Sequence, residues 1–357
     1  MHTFTYDALP GRIVFGPGAA RRSLGDEVDA FGARRILLVS GGSATGPARD
    51  LCVPFADRVM AAFTEVLPHV PVETAERARA AAAGADLVLC VGGGSTTGTA
   101  KAVALTTGLP IVAVPTTYAG SEVTPVWGLT QGTRKTTGTD RRVLPRTVVY
   151  DPELTLGLPA ALSAAGGLNA MAHCVEAFWA PGRNPVSGAV AEDGIRHLAA
   201  GLPGLAADPA GIDARTSLLL GAYLAGSAFA GAGSGLHHKI CHVLGGAFDL
   251  PHAQTHAIVL PHVVAFNAAD APEAMARVAA ALGRTDPAAG LHDLATELGV
   301  PAGLRELGLA EGDLDTVLGD ILALAPADNP RTVTAENLAG LLHAAWTGTA
   351  PSRGTDA

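Results

Sequence analysis

Cysteine is scarce in this 357-residue chain: four residues, Cys52, Cys90, Cys174 and Cys241, with no CxxC pair among them. Each lies in an apolar segment, which excludes a disulfide scaffold and reads as reduced packing residues of a cytoplasmic protein. An excess of positive charge is missing too. The formal net charge is −9 and no run of Lys and Arg occurs, so neither nucleic acid nor an anionic membrane surface is an expected partner. An anionic ligand would be held by a few placed cations instead. The opening MHTFTYDALPGR lacks the charged and then apolar layout of a signal peptide, and the chain has neither an internal repeat nor a low-complexity linker. One long stretch, Ser217 to Leu236, carries no charge over a length that could cross a bilayer. It is studded with Gly, Ala and Ser, and is read as a buried helix with close neighbours rather than a span.

What is present divides the chain in two, and the length suffices for two cores. In residues 1–151, short apolar runs at Arg12–Phe15, Ile36–Val39, Leu87–Val91, Ile111–Val114 and Thr147–Tyr150 read as strands. Between them Ala19–Phe31, Pro47–Phe63, Thr74–Gly84 and Ser95–Thr107 read as helices. Continuous apolar strands alternating with helices predict a parallel sheet covered on both faces. Three strand ends carry small polar turns: Ser40-Gly41-Gly42-Ser43, Gly92-Gly93-Gly94-Ser95 and the run from Thr116 through Thr117 and Tyr118 to Ser121 and Glu122. A glycine turn opening a helix presents backbone N–H groups to phosphate, and two such turns at strand C-termini are where a doubly wound sheet takes a dinucleotide. No acid follows the Ser40 turn until Asp50, so NADH and NADPH are both expected to be usable.

Residues 152–347 read as a second, all-helical domain, and the polar 348–357 as a disordered tail. Here Gly235–His256 (GLHHKICHVLGGAFDLPHAQTH) holds five of the twelve histidines. With Leu236–Val243 helical, His238 and His242 share a face. Gly245 and Gly246 are expected to end that helix, and Pro251 to set a turn presenting His252. Upstream, in GLNAMAHCVEAF, Asn169 and His173 are again four apart. Asn169, His173, His238 and His252 form a possible four-ligand cluster. Clustered neutral imidazoles serve as metal ligands or as proton donors near neutral pH.

The ordered motifs GGGS, PTT…GSE, DPEL, GLNAMAHCVEA and HHKICHVLGGAFDLPHA resemble the iron-containing alcohol dehydrogenase family over nearly the whole chain. The resemblance implies an α/β dinucleotide-binding domain joined to an all-α domain, a dehydroquinate synthase-like fold. The family's metal ligands, an Asp, a His four residues later and two further His, fall on Asn169, His173, His238 and His252. Two positions depart: an amide replaces the carboxylate at Asn169, and Gly98 replaces an Asp in the glycine-loop helix. These departures resemble a branch that needs no metal and reduces the carbon–carbon double bond of a small unsaturated oxo-dicarboxylate with NADH or NADPH.

On that resemblance no metal is expected and the four-ligand cluster is vestigial. His242 is the proton donor, with His238, His252, His173 and Lys239 completing the catalytic set and His237 and His256 in support. Asn169, His173, Tyr118 and Lys239 are expected on the substrate. Ser40, Gly92, Gly93, Gly94, Ser95, Thr116, Thr117, Tyr118, Ser121 and Lys135 are expected on the cofactor. Arg134, Arg141, Arg142 and Arg146 are further candidate cations, and a homodimer is expected. Alternatives on the same scaffold are a metal-dependent carbonyl reductase, a reductase of another unsaturated keto acid, and a lyase that recycles its NAD.

Overall fold

The computed structural model describes residues 3–9, 11–132 and 134–351. The chain forms two compact units, Ala8–Leu158 and Pro159–Ala357, the second including the segment Met1–Asp7. The division falls after Leu158, not at 151. Asp151 accepts from Gly18 N (2.9 Å) and Ala20 N (3.1 Å), which ties the turn Pro152–Thr155 to the first unit. The proposed tail at 348–357 lies largely outside the described residues.

The first unit contains strands β1 (Arg12–Phe15), β2 (Ile36–Ser40), β3 (Val59–Phe63), β4 (Leu87–Gly92), β5 (Ile111–Pro115), β6 (Val126–Gln131), β7 (Arg134–Thr139) and β8 (Thr147–Tyr150). Its helices are α1 (Ala19–Ala30), α2 (Thr45–Cys52), α3 (Val72–Ala81) and α4 (Gly94–Thr107). Six strands make one parallel sheet in the order β1-β8-β5-β4-β2-β3. Every residue of β2, β4, β5 and β8 is buried, as the uninterrupted apolar runs predict for strands covered on both faces. From β2 the chain runs outward to β3 and then crosses back to β4 on the other side of β2. The ends of β2 and β4 therefore flank the point where the winding reverses, the place where such sheets bind ligands.

Two elements differ from the sequence reading. The helix expected over Pro47–Phe63 is α2, a 3-10 segment at Val53–Arg58, and then β3. Pro54 supplies no amide to continue α2, and the helix-favouring VMAAF is claimed by pairing with β2, Leu37 opposite Ala61 and Val39 opposite Phe63. The antiparallel pair β6–β7 has no apolar run to announce it, because RKTTGT is polar and mostly exposed. Gly138 makes room for its neighbour there: a Cβ would lie 2.6 Å from Cζ2 of Trp127.

The second unit consists of α5 (Ala160–Glu176), α6 (Pro185–Ala207), α7 (Ile212–Ala232), α8 (Leu236–Phe248) and α9 (His252–Asn267), then α10 (Pro272–Leu282), α11 (Pro287–Glu297), α12 (Asp313–Leu324) and α13 (Ala335–Thr347). The uncharged run is a core helix. At Gly201 of α6 a Cβ would stand 2.9 Å from the carbonyl of Ala214, and at Gly221 of α7 one would stand 2.7 Å from Cγ of Leu198. Small residues thus set the α6–α7 spacing. We expect Gly201→Val to lower stability by about 1–3 kcal/mol, read as a lower urea midpoint at unchanged slope. α7 stops at Gly233 (φ 79°), and the chain bends by 102° into α8. Among the described residues no single helix is long and apolar enough to cross a membrane. Gly245 and Gly246 do not end α8. It runs to Phe248 and closes on Asp249 in the left-handed region (φ 51°), so His252 is the first residue of α9 and does not stand in a free turn.

Candidate active site

In the first unit the three expected turns sit at the C-terminal ends of β2, β4 and β5. Thr116 N donates to Gly92 O (3.0 Å), which joins two of them. Gly92 has φ +153°, and a Cβ there would meet Oγ1 of Thr96 at 2.4 Å; one on Gly93 would meet Cγ2 of Thr117 at 3.0 Å. The backbone of this turn can therefore be approached closely only because it has no side chains. α4 begins at Gly94 with no side-chain cap, so its first N–H groups, with Ser95, are available to an anion. The hydroxyl of Ser40 is buried and has no hydrogen-bond partner among the described residues. Asp50, the first acid after β2, stands exposed on α2. Gly98, the departure in this helix, is explained by packing: Cγ2 of Val70 would lie 2.8 Å from a Cβ at that position. Gly92→Ala is expected to weaken NADH binding about tenfold or more, read by fluorescence titration, because strain and crowding fall on the turn itself.

Tyr118 is buried, and its hydroxyl donates to Thr155 Oγ1 at 3.3 Å. The structure thus spends it on packing within this unit. Lys135 stands exposed on β7, its Cε 3.4 Å from where a Gly128 Cβ would be. Arg142 pairs with Asp140. Lys101, which the sequence reading passed over, lies behind the third turn beside Glu122 of that turn. Lys101 of α4 is 1% exposed and donates from Nζ to Ser121 O (2.6 Å), Val126 O (2.7 Å), Thr124 O (2.8 Å) and Thr124 Oγ1 (3.1 Å). Glu122 is buried too and accepts from Tyr150 OH at 2.7 Å. Burial pushes Lys101 down to about 7 and Glu122 upward, each pulled back by the other's charge. A lone lysine in the small apolar run TAKAVAL was the available signal.

In the second unit α5, α8 and α9 gather the histidines. Asn169 and His173 lie one turn apart on α5, His238 and His242 one turn apart on α8, and His252 opens α9. The His173 and His238 rings stack at 4.9 Å, with Phe229 5.2 Å from His238. His242 lies 5.8 Å from His238 and 6.3 Å from His252, and His252 lies 4.3 Å from His256. His242 and His252 are exposed, Lys239 and His173 half-buried, Asn169 and His238 buried. Behind them His237 Nε2 and His256 Nδ1 share a hydrogen bond of 2.9 Å, and both rings are fully enclosed.

Burial first, then neighbouring imidazoles, holds His173, His237 and His256 well below the usual histidine range. His238 is pushed down to about 3 by burial and by the charges of His252 and Lys239. These four rings are neutral at pH 7. Beside His238 sits Glu176 of α5, fully buried, with its Oε2 2.5 Å from His238 Nδ1. Burial pushes this carboxyl up to about 7, and the N–H groups of Gly235, His237 and His238 pull it back. The sequence reading missed it, although 169, 173 and 176 have the i, i+4, i+7 spacing of one helix face.

Residues 10–152 match the family model described as "Iron-containing alcohol dehydrogenase", and residues 163–346 the one described as "Fe-containing alcohol dehydrogenase family, C-terminal". The chain belongs to the iron-containing alcohol dehydrogenase family. It is 48% identical over 351 residues to the maleylacetate reductase of Sphingobium indicum, a match spanning 98% of this chain and 99% of that one. The crystal structure of an iron-containing alcohol dehydrogenase from Corynebacterium glutamicum matches with a TM-score of 0.96 at 50% identity, covering 98% of this chain and 99% of that chain. That of maleylacetate reductase from Agrobacterium tumefaciens matches at 0.94 and 42%, covering 98% and 100%.

Membership of an iron-containing family overturns the expectation that no metal is held and that the cluster is vestigial. The donor types fit an ion. Among the described residues Asn169 Oδ1, His173 Nδ1 and His238 Nε2 are buried polar atoms with no hydrogen-bond partner, and imidazole with amide oxygen is a donor set that first-row divalent ions accept. A further group, His237, Cys241 and His256, brings possible ligand atoms within 4.8 Å of one another, all buried. The amide at Asn169 removes formal charge from the ligand set, but it leaves a donor.

Proposed function

We propose that this member of the iron-containing alcohol dehydrogenase family is a maleylacetate reductase, reducing the carbon–carbon double bond of maleylacetate to give 3-oxoadipate. The observation that carries this reading is the 48% identity to the Sphingobium indicum maleylacetate reductase over almost all of both chains. It is supported by a histidine cluster able to both polarise and protonate. Bound NADH or NADPH supplies the hydride, and the absence of an acid at the end of β2 supports use of either.

The alkene of the substrate is conjugated to its ketone. Addition of hydride to the carbon β to that ketone moves an electron pair onto the ketone oxygen as an enolate, and the α carbon then takes one proton. Asn169, His173, His238 and His252 are the residues that would hold a divalent ion, which when bound supplies positive charge toward that oxygen. His242, on the exposed face of α8, gives the proton. Lys239, beside the cluster, is the cation of this unit for a small dicarboxylate.

The test is oxidation of NADH, followed by its nicotinamide absorbance, with maleylacetate beside simple aldehydes and ketones. Maleylacetate should be consumed fastest, with one NADH oxidised per double bond. A clear preference for an aldehyde would instead favour the carbonyl chemistry of an alcohol dehydrogenase, the name carried by the Corynebacterium glutamicum relative. No net oxidation with any of them would point to a lyase. The homodimer expected from the resemblance is read by light scattering on the same preparation.

A further inference from the structure

We propose that Glu176 is the positioning residue of the candidate metal centre: its carboxylate fixes His238 in the tautomer whose Nε2 faces the site as a lone pair, and stands one hydrogen bond behind that ligand with the negative charge Asn169 does not carry. The inference rests on the reading above that these residues hold a divalent ion.

Glu176 ends α5 and reaches the start of α8. Its Oε1 accepts from His237 N (2.7 Å), its Oε2 accepts from Gly235 N (3.0 Å) and His238 N (3.4 Å), and Oε2 stands 2.5 Å from His238 Nδ1. The three donors are the backbone N–H groups at the N-terminus of α8, which has no side-chain cap of its own and carries the partial positive charge of the helix dipole. One carboxylate therefore serves as the cap of α8 and as the acceptor of the imidazole. Gly235 makes this possible, because a Cβ there would lie 2.6 Å from Oε1.

Ionised, Glu176 can only accept, so the proton of a neutral His238 belongs on Nδ1. Nε2 is left without one, and it is a buried atom with no partner among the described residues. A carboxylate behind a ligating histidine sets ring orientation and raises ligand basicity. Here it also restores the negative charge lost at position 169, displaced from the ligand atom to the group behind it. Glu176→Gln keeps the shape but turns at least one acceptor into a donor. Turned with its oxygen toward Nδ1 the amide confronts His237 N–H, and turned the other way it confronts Gly235 N–H and costs Nδ1 its acceptor; in either case the charge behind the ligand is gone.

The experiment uses the full chain, stripped of metal, with Co²⁺ as the probe and its visible absorption as the signal. The expected result is binding by the native chain and binding about 10- to 100-fold weaker by Glu176→Gln. ¹⁵N spectra of the metal-free histidines should show His238 as the Nδ1–H tautomer in the native chain. Glu176→Asp, with the same charge, should keep the native tautomer and recover most of the affinity. An Nε2–H tautomer in the metal-free native chain overturns the proposal without any variant having to fold. So does Co²⁺ affinity in a folded Glu176→Gln within about twofold of native, well short of the loss expected from an outer ligand partner. Failure of the native chain to bind Co²⁺ at all, with the Nδ1–H tautomer present, sinks the metal reading instead.

Discussion

Replacing His242 with alanine is expected to lower turnover about a hundredfold or more while leaving the affinity for NADH within about twofold, as the loss of a general acid demands. Exposure decides the choice among the rings. His173, His237, His238 and His256 are held neutral by burial, so at pH 7 they carry no proton to give away on the charged form. His242 and His252 are the exposed members of the cluster and can be resupplied by water. His242 sits one turn from His238 with its ring 5.8 Å away, whereas His252 faces the enclosed His256 at 4.3 Å. Steady-state kinetics with maleylacetate give the answer. A loss below about threefold in His242→Ala, far under the usual contribution of a general acid, beside a large loss in His252→Ala would move the proton donor to α9.

Lys101→Met is expected to cost about 3–5 kcal/mol of stability, the usual penalty for leaving one member of a buried charged set without its partner. The carbonyls of Ser121, Thr124 and Val126 lose their donor together, and Glu122 loses the nearest positive charge that favours its ionised form. Because these carbonyls end the turn that follows β5, NADH affinity should fall with stability. Urea unfolding measures the first effect, and Lys101→Met/Glu122→Gln should regain part of it. The pH dependence has a definite sign. The ammonium titrates at about 7 in the folded chain, below its unfolded value, so from about 7 up to about 10 the unfolded chain binds the extra proton and stability rises with pH. That rise should be absent from Lys101→Met. A loss under about 1 kcal/mol would mean that water replaces the ammonium at no cost.

Much of the fold was legible in the residues, and the exceptions have physical causes. The uninterrupted runs ILLV, LVLCV, IVAV and TVVY announce β2, β4, β5 and β8 because a strand covered on both faces has no polar side to show. VMAAF hid β3, since alanine and methionine favour helix and only the neighbouring edge of β2 makes the segment extended. The end of α8 was misplaced because glycine costs a helix only about 1 kcal/mol, which packing by Leu236, Ile240 and Leu244 offsets. Tyr118 read as a ligand-facing residue from its place in a polar turn, and tertiary packing buries it against Thr155 instead.

Sequence alone determined the three strand-end turns, the pairs Asn169 with His173 and His238 with His242, and the family, because these are properties of local spacing and residue type. Which histidines are enclosed and which meet water was decided only when α5, α8 and α9 packed together. The same packing brought Glu176 across to the start of α8 and set Lys101 among four acceptors. Burial and hydrogen-bond partners at long sequence separation come from the tertiary structure, and they govern protonation state and tautomer, on which the chemistry of an imidazole depends.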